Sequence, residues 1–171
     1  AGKKFQSKRN HPNKCRRTYN YEYVSLTPDR IQECLDLEAE WCKVNNCDHQ
    51  EGTGNERRAL IYVLHNFEAL GLTGGILHVN GKIVAFTFGM PINHETFGVH
   101  VEKADTSIDG AYAMINYEFA NRIPEQYIYI NREEDLGIEG LRKAKLSYQP
   151  VTILEKYMAR LKDHPMDMVR W

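Results

Sequence analysis

The 171-residue sequence predicts an α/β fold with a mixed, mostly antiparallel central sheet flanked by helices. Three observations carry that expectation. Asn80-Gly81 stands between two apolar runs, 75–79 and 82–89, the strongest short-range sign of an antiparallel hairpin. Leu60, Val63, Leu64, Phe67 and Leu70 recur at helical spacing. From Phe97 to Pro150 the pattern runs strand, polar loop, helix, strand, charged turn, helix, and Pro150 leads into a last apolar strand. Polar and charged residues in that run cluster at strand ends and helix starts, where α/β sheets build ligand sites.

The elements follow in order. Residues 1–18 read as a basic helix, with Asn10-His11-Pro12 as a break or kink. Tyr21, Tyr23 and Ser25 alternate with Glu22, Val24 and Leu26, a strand pattern. Thr27-Pro28-Asp29 opens a helix whose apolar face is Ile31, Cys34, Leu35 and Trp41. Asn45 to Gly54 reads as a polar loop, Thr53 and Glu56 as a capping box for the next helix, and Gly71 as its stop. After the hairpin, Pro91-Ile92-Asn93-His94 turns the chain into a strand over 96–103. A helix over about 109–122 buries Ala111, Met114, Ile115 and Phe119. A strand over 127–131, a helix over 137–145 and a strand over 151–157 complete the pattern. The residues after Lys162 read as a tail.

Composition bounds the function. A length of 171 residues suits one domain with one sizeable core. The net charge of −1 provides no global field toward nucleic acid or membrane. The sequence is nevertheless asymmetric: no acidic residue precedes Glu22, whereas Lys3, Lys4, Lys8, Arg9, Lys14, Arg16 and Arg17 are basic. With Phe5 and His11 interleaved, this segment offers contact to RNA or lipid phosphates, and a solvated helix is the commoner explanation. No apolar run reaches membrane-spanning length and no signal peptide is visible. Cys15, Cys34, Cys42 and Cys47 lack CxxC spacing and read as reduced thiols of a cytoplasmic protein. Cys42, Cys47 and His49 have no metal-ligand spacing, and no metal is expected. The chain starts abruptly within a basic segment, as the later part of something longer would.

Four groups of residues offer chemistry. The loop 104–110 lies between a central strand and a helix start, so free N–H groups and the positive dipole end favour an anion near Ser107, Gly110 and Ala111. The plainer reading is that Thr106, Ser107 and Asp109 cap the helix. Asn131-Arg132-Glu133-Glu134-Asp135 lies just beyond a strand end and offers carboxylates for a substrate amine or for proton transfer. Glu133 and Glu134 also suit a solvated turn, and Asn131 and Arg132 stand closer to the sheet. By strand alternation His100 and Glu102 share a face, with Lys103 opposite, which makes Glu102 a candidate general base. Arg142, Lys143 and Lys145 crowd one short helix and its exit, and suit either phosphates or solvent.

These residues also resemble a known family. The element order resembles the GNAT (acyl-CoA N-acyltransferase) fold, in which central strands splay and the acyl donor sits in the gap. GKKFQSKRNHPNK (2–14), GGILHVNGKIVAFTFG (74–89), HVEKAD (100–105), GAYAMIN (110–116) and YINREEDLGIEGLRKAKLSYQP (129–150) resemble a bacterial family. That family is related to the C-terminal catalytic domain of phosphatidylglycerol lysyltransferase, with the Fem-type peptidoglycan-bridge enzymes as cousins. The similarity runs to about Arg160. One departure bears on the donor. GNAT acetyltransferases carry Q/R-x-x-G-x-G/A at this helix start, and of Ser107 to Tyr112 only Gly110 fits. Lys145-Leu146-Ser147-Tyr148 instead resembles the lysine-x-x-aromatic element of the Fem and lysyltransferase relatives, whose lysine helps hold the donor.

The resemblance implies an aminoacyl transferase that takes an amino acid from a charged tRNA to an amine or hydroxyl, with a lipid or peptide as acceptor and no further cofactor. It implies catalytic roles for Glu102, Asn131, Arg132 and Lys145. Ser107, Gly110, Ala111, Arg142, Lys143 and Lys145 would contact the donor, and His100, Asp105, Asn116, Glu133 and Tyr148 would line the acceptor cleft. An N-terminal GNAT-like half would precede this one. The chain then divides into a linking helix (1–18), the GNAT-like domain (19–162) and the tail (163–171). Two alternatives stay open: a transferase using acetyl-CoA as donor, and a non-catalytic module binding RNA or an amino-acid-like ligand.

Overall fold

The computed structural model describes residues 6–45 and 51–159. Cys47, His49, Lys3, Lys4, Phe5 and the tail beyond Lys162 lie outside them. Five strands form one sheet in the order β1 (Tyr21–Ser25), β2 (Thr73–Val79), β3 (Lys82–Pro91), β4 (Thr96–Ala104) and β5 (Tyr129–Asn131). The helices are α1 (Gln6–Thr18), α2 (Ile31–Asn45), α3 (Glu51–His65), α4 (Ala111–Ala120) and α5 (Glu139–Leu146). The first four strands pair antiparallel, and β4 pairs parallel with β5.

The hairpin forms as its turn chemistry requires. Asn80 (φ 52°) and Gly81 (φ 77°) both adopt the left-handed region, and Val79 pairs with Lys82 across the turn. Two apolar layers close on the sheet. Leu37, Leu60, Leu64 and Phe67 of the α2–α3 side pack on Ile76, Phe86 and Phe88. On the opposite face Met114 and Ile115 of α4 pack on Leu77, Ala85 and Ala104. Each such side chain contributes about 1.5–3 kcal/mol on burial.

The basic helix α1 is built into this second layer. It runs through Pro12, and Cys15 is fully buried against the α4 core. Arg16 donates to Glu118 at 3.0 Å and stacks 4.6 Å from the Tyr117 ring, while Lys14 pairs with Asp109. Two of its cations are thereby committed to α4 and the loop before it.

Five local expectations are corrected. The helix α3 begins at Glu51, ahead of Thr53, so Thr53 is not its N-cap. Residues 51–54, expected to end the preceding loop, belong to that helix. Gly110 (φ 84°) occupies the N-cap of α4 without any side-chain cap, so Thr106, Ser107 and Asp109 do not serve there. The turn is shaped instead by Asp105, whose Oδ1 accepts the Ser107 N–H at 2.9 Å. The apolar stretch 151–157 forms no strand and lies exposed. Cys15 and Cys34 are free buried thiols, but Cys42 is disulfide-bonded, against the expectation of four reduced cysteines.

The fifth correction concerns β4. Phe88 pairs with Val101 and Gly89 with Val99, so His100 is an extra residue in the ladder. This bulge shifts the side-chain phase along the strand. Phe97 and Val99 face the α4 side, whereas Val101 beyond the bulge packs with the α2–α3 layer. His100 and Glu102 therefore do not share a face by simple alternation. His100 and Val101 together line an apolar cavity of about 270 Å³ beneath α3.

Candidate functional site

The sheet opens where β5 ends. Pairing between β4 and β5 covers only Thr96–Gly98 against Tyr129–Asn131. β4 then continues to Ala104, while the chain leaves β5 and winds through 132–138 into α5. The gap between the diverging strands holds a linked set of polar side chains.

Local backbone chemistry makes this winding loop. Asn131 Oδ1 accepts the Glu133 N–H at 2.7 Å, a side-chain turn that supports Glu133 at φ 55°. Asp135 Oδ1 accepts the Gly137 N–H at 2.9 Å, with Leu136 and Gly137 both at positive φ. Lys145 reaches back from α5 and donates to the main-chain carbonyls of Arg132 and Glu134, the latter at 2.6 Å. Burial and the neighbouring Arg132 charge lower the pKa of the Lys145 ammonium below its ordinary 10.5.

Arg132 is the hub. Its guanidinium pairs with Glu102 Oε2 across the gap and lies 4.6 Å over the Tyr148 ring. Burial pushes the Tyr148 hydroxyl above its usual range, with the Arg132 charge opposing. His100, on the bulge, lies with Nδ1 2.5 Å from Glu133 Oε1. Glu102 Oε1, Arg132 Nε and Gln149 Oε1 are buried without a hydrogen-bond partner among the described residues. Buried polar atoms of this kind are uncommon in a finished core and are typical where a ligand or water supplies the missing bond.

Glu102, Arg132, Lys145, Tyr148, His100, Asn131 and Glu133 are thus linked through the gap. Other expected residues are used differently. The Ser107 N–H is taken by Asp105 and the Ala111 N–H by the Ile108 carbonyl, so the turn around Gly110 satisfies two of its own amides. Asp105 spends one carboxylate oxygen on that turn. Arg142 binds Asp135 with two N–H groups, at 2.5 and 3.2 Å, and this exposed pair faces solvent. Lys143 is exposed, and Asn116 is half-buried on α4, one turn after Tyr112.

Sequence reasoning missed the bulge and Gln149. The trace of the bulge is a pair of glycines in facing strands. A Cβ on Gly89 would stand 1.9 Å from the Gly98 carbonyl oxygen, so only glycine permits this approach. Gln149 carries φ 53°, a strained conformation that its residue type does not announce. Also missed was a buried ion cluster on the other face of β4. There Lys103 Nζ lies 2.9 Å from Glu56, 4.0 Å from Glu38 and 3.7 Å over the Trp41 ring.

No group of His, Cys, Asp and Glu suited to a metal occurs among the described residues, and no helix among them is long and apolar enough to cross a membrane.

Comparison with known proteins places this geometry. The family profile described as phosphatidylglycerol lysyltransferase, C-terminal, matches residues 1–160. A conserved protein of unknown function from Bacteroides thetaiotaomicron is similar at 92% identity and a TM-score of 0.87, over 90% of this chain and 52% of that one. The C-terminal domain of a protein described as a lysylphosphatidylglycerol synthetase, from Agrobacterium fabrum, is similar at 13% identity and a TM-score of 0.60. That match covers 87% of this chain and 52% of that one. A ribosomal-protein-alanine N-acetyltransferase from Brucella melitensis is similar in fold at 13% identity and a TM-score of 0.58, over 82% of this chain and 99% of that one. No curated protein matches. The fold is the GNAT fold the sequence resembles, and the chain spans about half the length of the Bacteroides relative.

Proposed function

Because the chain belongs to the phosphatidylglycerol lysyltransferase C-terminal family, we propose that it is the acyl-transferring half of an aminoacyl transferase. The donor is aminoacyl-tRNA and the acceptor an amine or hydroxyl on a lipid or peptide. The observation that carries this reading is the set of buried, unpartnered atoms at the open end of β4: two carbonyl-type acceptors and one guanidinium donor. An α-aminoacyl ester has the complementary set. Its ammonium donates to Glu102 Oε1 and Gln149 Oε1, and its carbonyl oxygen accepts from Arg132 Nε.

The chemistry is then acyl transfer by positioning and oxyanion stabilisation. The acceptor's nitrogen or oxygen attacks the ester carbonyl and forms the new bond. Negative charge builds on the carbonyl oxygen, where Arg132 stabilises it. The ester C–O bond to the tRNA ribose breaks as the tetrahedral intermediate collapses. The acceptor's proton passes through the Glu102 carboxylate to the departing ribose oxygen. Lys145 acts through the backbone, because its bonds to two carbonyls fix the loop that presents Arg132. Arg142 and Lys143, on the exposed face of α5, meet the phosphates of the tRNA end.

The GNAT neighbours that transfer acetyl groups give a second reading, with acetyl-CoA as donor. Thermal melting in parallel with acetyl-CoA, CoA, uncharged tRNA and aminoacyl-tRNA separates the two, since a ligand of the native state raises the melting temperature. We expect a shift with aminoacyl-tRNA, a smaller one with uncharged tRNA and none with CoA. A shift with CoA alone would overturn the proposed donor. Binding of charged tRNA without any transfer, in this chain and in a longer form of the protein, would make the domain a binding module.

A further inference from the structure

The cavity beneath α3 takes no part in the chemistry described above. It measures about 270 Å³, and Leu60, Val63, Leu72, Phe88 and Val101 supply its apolar wall. A cavity of about 150 Å³ takes up benzene, so this one has room for a leucine, methionine or phenylalanine side chain. Its mouth is apolar as well: Leu70 and Met90, which also line it, are 42% and 38% exposed. Ligand sites have this make-up, an apolar concavity with a few polar groups at one side.

The cavity borders the open end of β4. β5 covers β4 only as far as Gly98, so from Val99 onward that strand has a free edge. His100 and Val101 follow on this stretch and line the cavity. The same His100 lies 2.5 Å from Glu133, the neighbour of Arg132, and Val101 immediately precedes Glu102. Among the described residues no strand separates the cavity from the gap that holds Glu102 and Arg132, and the bulge is the step between them. The charges around the cavity decide what enters. Glu56, the carboxylate on its wall, is taken up by Lys103 at 2.9 Å. A second ammonium entering there meets the Lys103 cation with no carboxylate of its own, and burying a charge without a partner is costly.

We propose that this cavity receives the side chain of the donor's amino acid, and that this amino acid is a large apolar one and not lysine. The inference rests on the aminoacyl reading above and deepens it. With the ester held at Glu102, Gln149 and Arg132, the side chain passes the free edge of β4 at His100 and lies between α3 and the sheet. Its affinity comes from apolar surface removed from water, and its selectivity from the absence of a free carboxylate.

Binding of RNA minihelices to the full-length protein tests it, each minihelix carrying one amino acid in a stable amide link at its terminal ribose. The leucyl form should bind about 10-fold or more tighter than the alanyl form, since methylenes in an apolar pocket discriminate on that scale. The lysyl form should bind no tighter than the alanyl one. Val63→Phe and Ala59→Leu grow side chains into the cavity and should collapse the leucyl-over-alanyl ratio. Val63 is half-buried, so the melting of that variant shows whether it still folds, whereas Ala59 is exposed on α3 and its enlargement leaves the core alone. Equal affinity for all three forms, a preference for the lysyl form, or a leucyl preference that survives both variants in folded protein would overturn the inference and leave the aminoacyl reading standing. Binding of none of the three would overturn both.

Discussion

Glu102 and Lys103 are consecutive on β4, yet they serve opposite faces of the sheet and two different kinds of charge site. On the α2–α3 face Lys103 is closed in, with two carboxylates and an indole ring around its ammonium and a side chain 7% exposed. On the other face Glu102 meets Arg132 at a gap where the sheet has lost its fifth strand, and both leave a buried atom unpaired. The difference lies in what surrounds each charge. Lys103 is walled by two long helices and buried apolar side chains, whereas Arg132 hangs from a loop with two left-handed non-glycine residues, Glu133 and Leu136, between β5 and α5. Glu38 Oε2 on the closed side is also buried without a hydrogen-bond partner, so what sets the open side apart is its backbone strain, which is tolerated where ligand contacts repay it.

The largest effect tests the closed side. Lys103→Ala removes the nearer cation from Glu38, which is 2% exposed, and leaves only the Arg57 charge beside it. Breaking a buried pair in this way costs about 3–5 kcal/mol, and at about 2–4 °C per kcal/mol for a domain of this size the melting temperature falls by roughly 6–20 °C. Transfer per folded molecule should not change. A melting temperature within a degree or two of the parent would show that the cluster is solvated after all. Its pH dependence has a defined sign. Burial raises the Glu38 carboxyl above its ordinary 4.5, against the opposing Lys103 charge. The folded state therefore holds that proton to higher pH than the unfolded state. The associated stability is present below 4.5 and is lost as pH rises through the raised value. Glu38→Gln should flatten that slope in calorimetric melts.

The next effect tests the open side. Arg132→Ala removes the oxyanion donor and should cut transfer about 10²–10³-fold. The drop in melting temperature should be much smaller than for Lys103→Ala. Arg132→Lys keeps the charge but not the planar fork, so it should restore little. Equal loss of stability in Arg132→Ala and Lys103→Ala, with transfer retained, would erase the distinction between the two faces.

What the sequence made legible follows the same division. The hairpin, the apolar stripes and the β4–α4–β5 crossover were readable because short-range turn chemistry and periodicity determine them. Gly81 and Leu64 need no distant partner to be interpreted. The site was readable only as a neighbourhood. Arg132 and Glu102 stood out as charges near strand ends, but their pairing spans thirty positions and depends on where β5 stops. The phase of β4 was misjudged because alternation assumes a regular ladder, and one extra residue at His100 breaks it. Lys103 was placed on the face opposite Glu102, but its pairing with Glu38 escaped notice because a buried charge looks like any surface charge until its cover is known. The stretch 151–157 was read correctly as strand-like chemistry and wrongly as a strand, since propensity does not supply a neighbour.

A middle-sized effect asks how the open side is held. Lys145→Ala frees the carbonyls of Arg132 and Glu134 and should lower transfer about tenfold or more with the fold intact. Burial and the Arg132 charge lower its pKa, so its ammonium is lost below 10.5 as pH rises. Transfer should fall on an alkaline limb below that value. In Lys145→Arg, whose charge persists, that limb should move out of range. Unchanged turnover in Lys145→Ala would remove this residue from the mechanism.

The smallest effect lies at the rim of the open side, where a charge pair and an RNA phosphate compete for one side chain. Arg142, largely exposed, binds a half-buried Asp135, and its hydrogen bonds hold the Asp135 carboxyl below its ordinary 3.8. An exposed pair of this kind contributes little to folding, so Arg142→Ala should leave the melting temperature unchanged. If Arg142 also meets a tRNA phosphate, the same variant weakens charged-tRNA binding and reduces the salt dependence of its affinity by about one charge. Asp135→Asn then acts in the opposite sense, because it releases the guanidinium from its internal partner and tightens tRNA binding at low salt. Parallel salt titrations of the two variants decide the matter. Opposite shifts place the phosphate at α5, and identical slopes confine Arg142 to shaping the loop that carries Arg132.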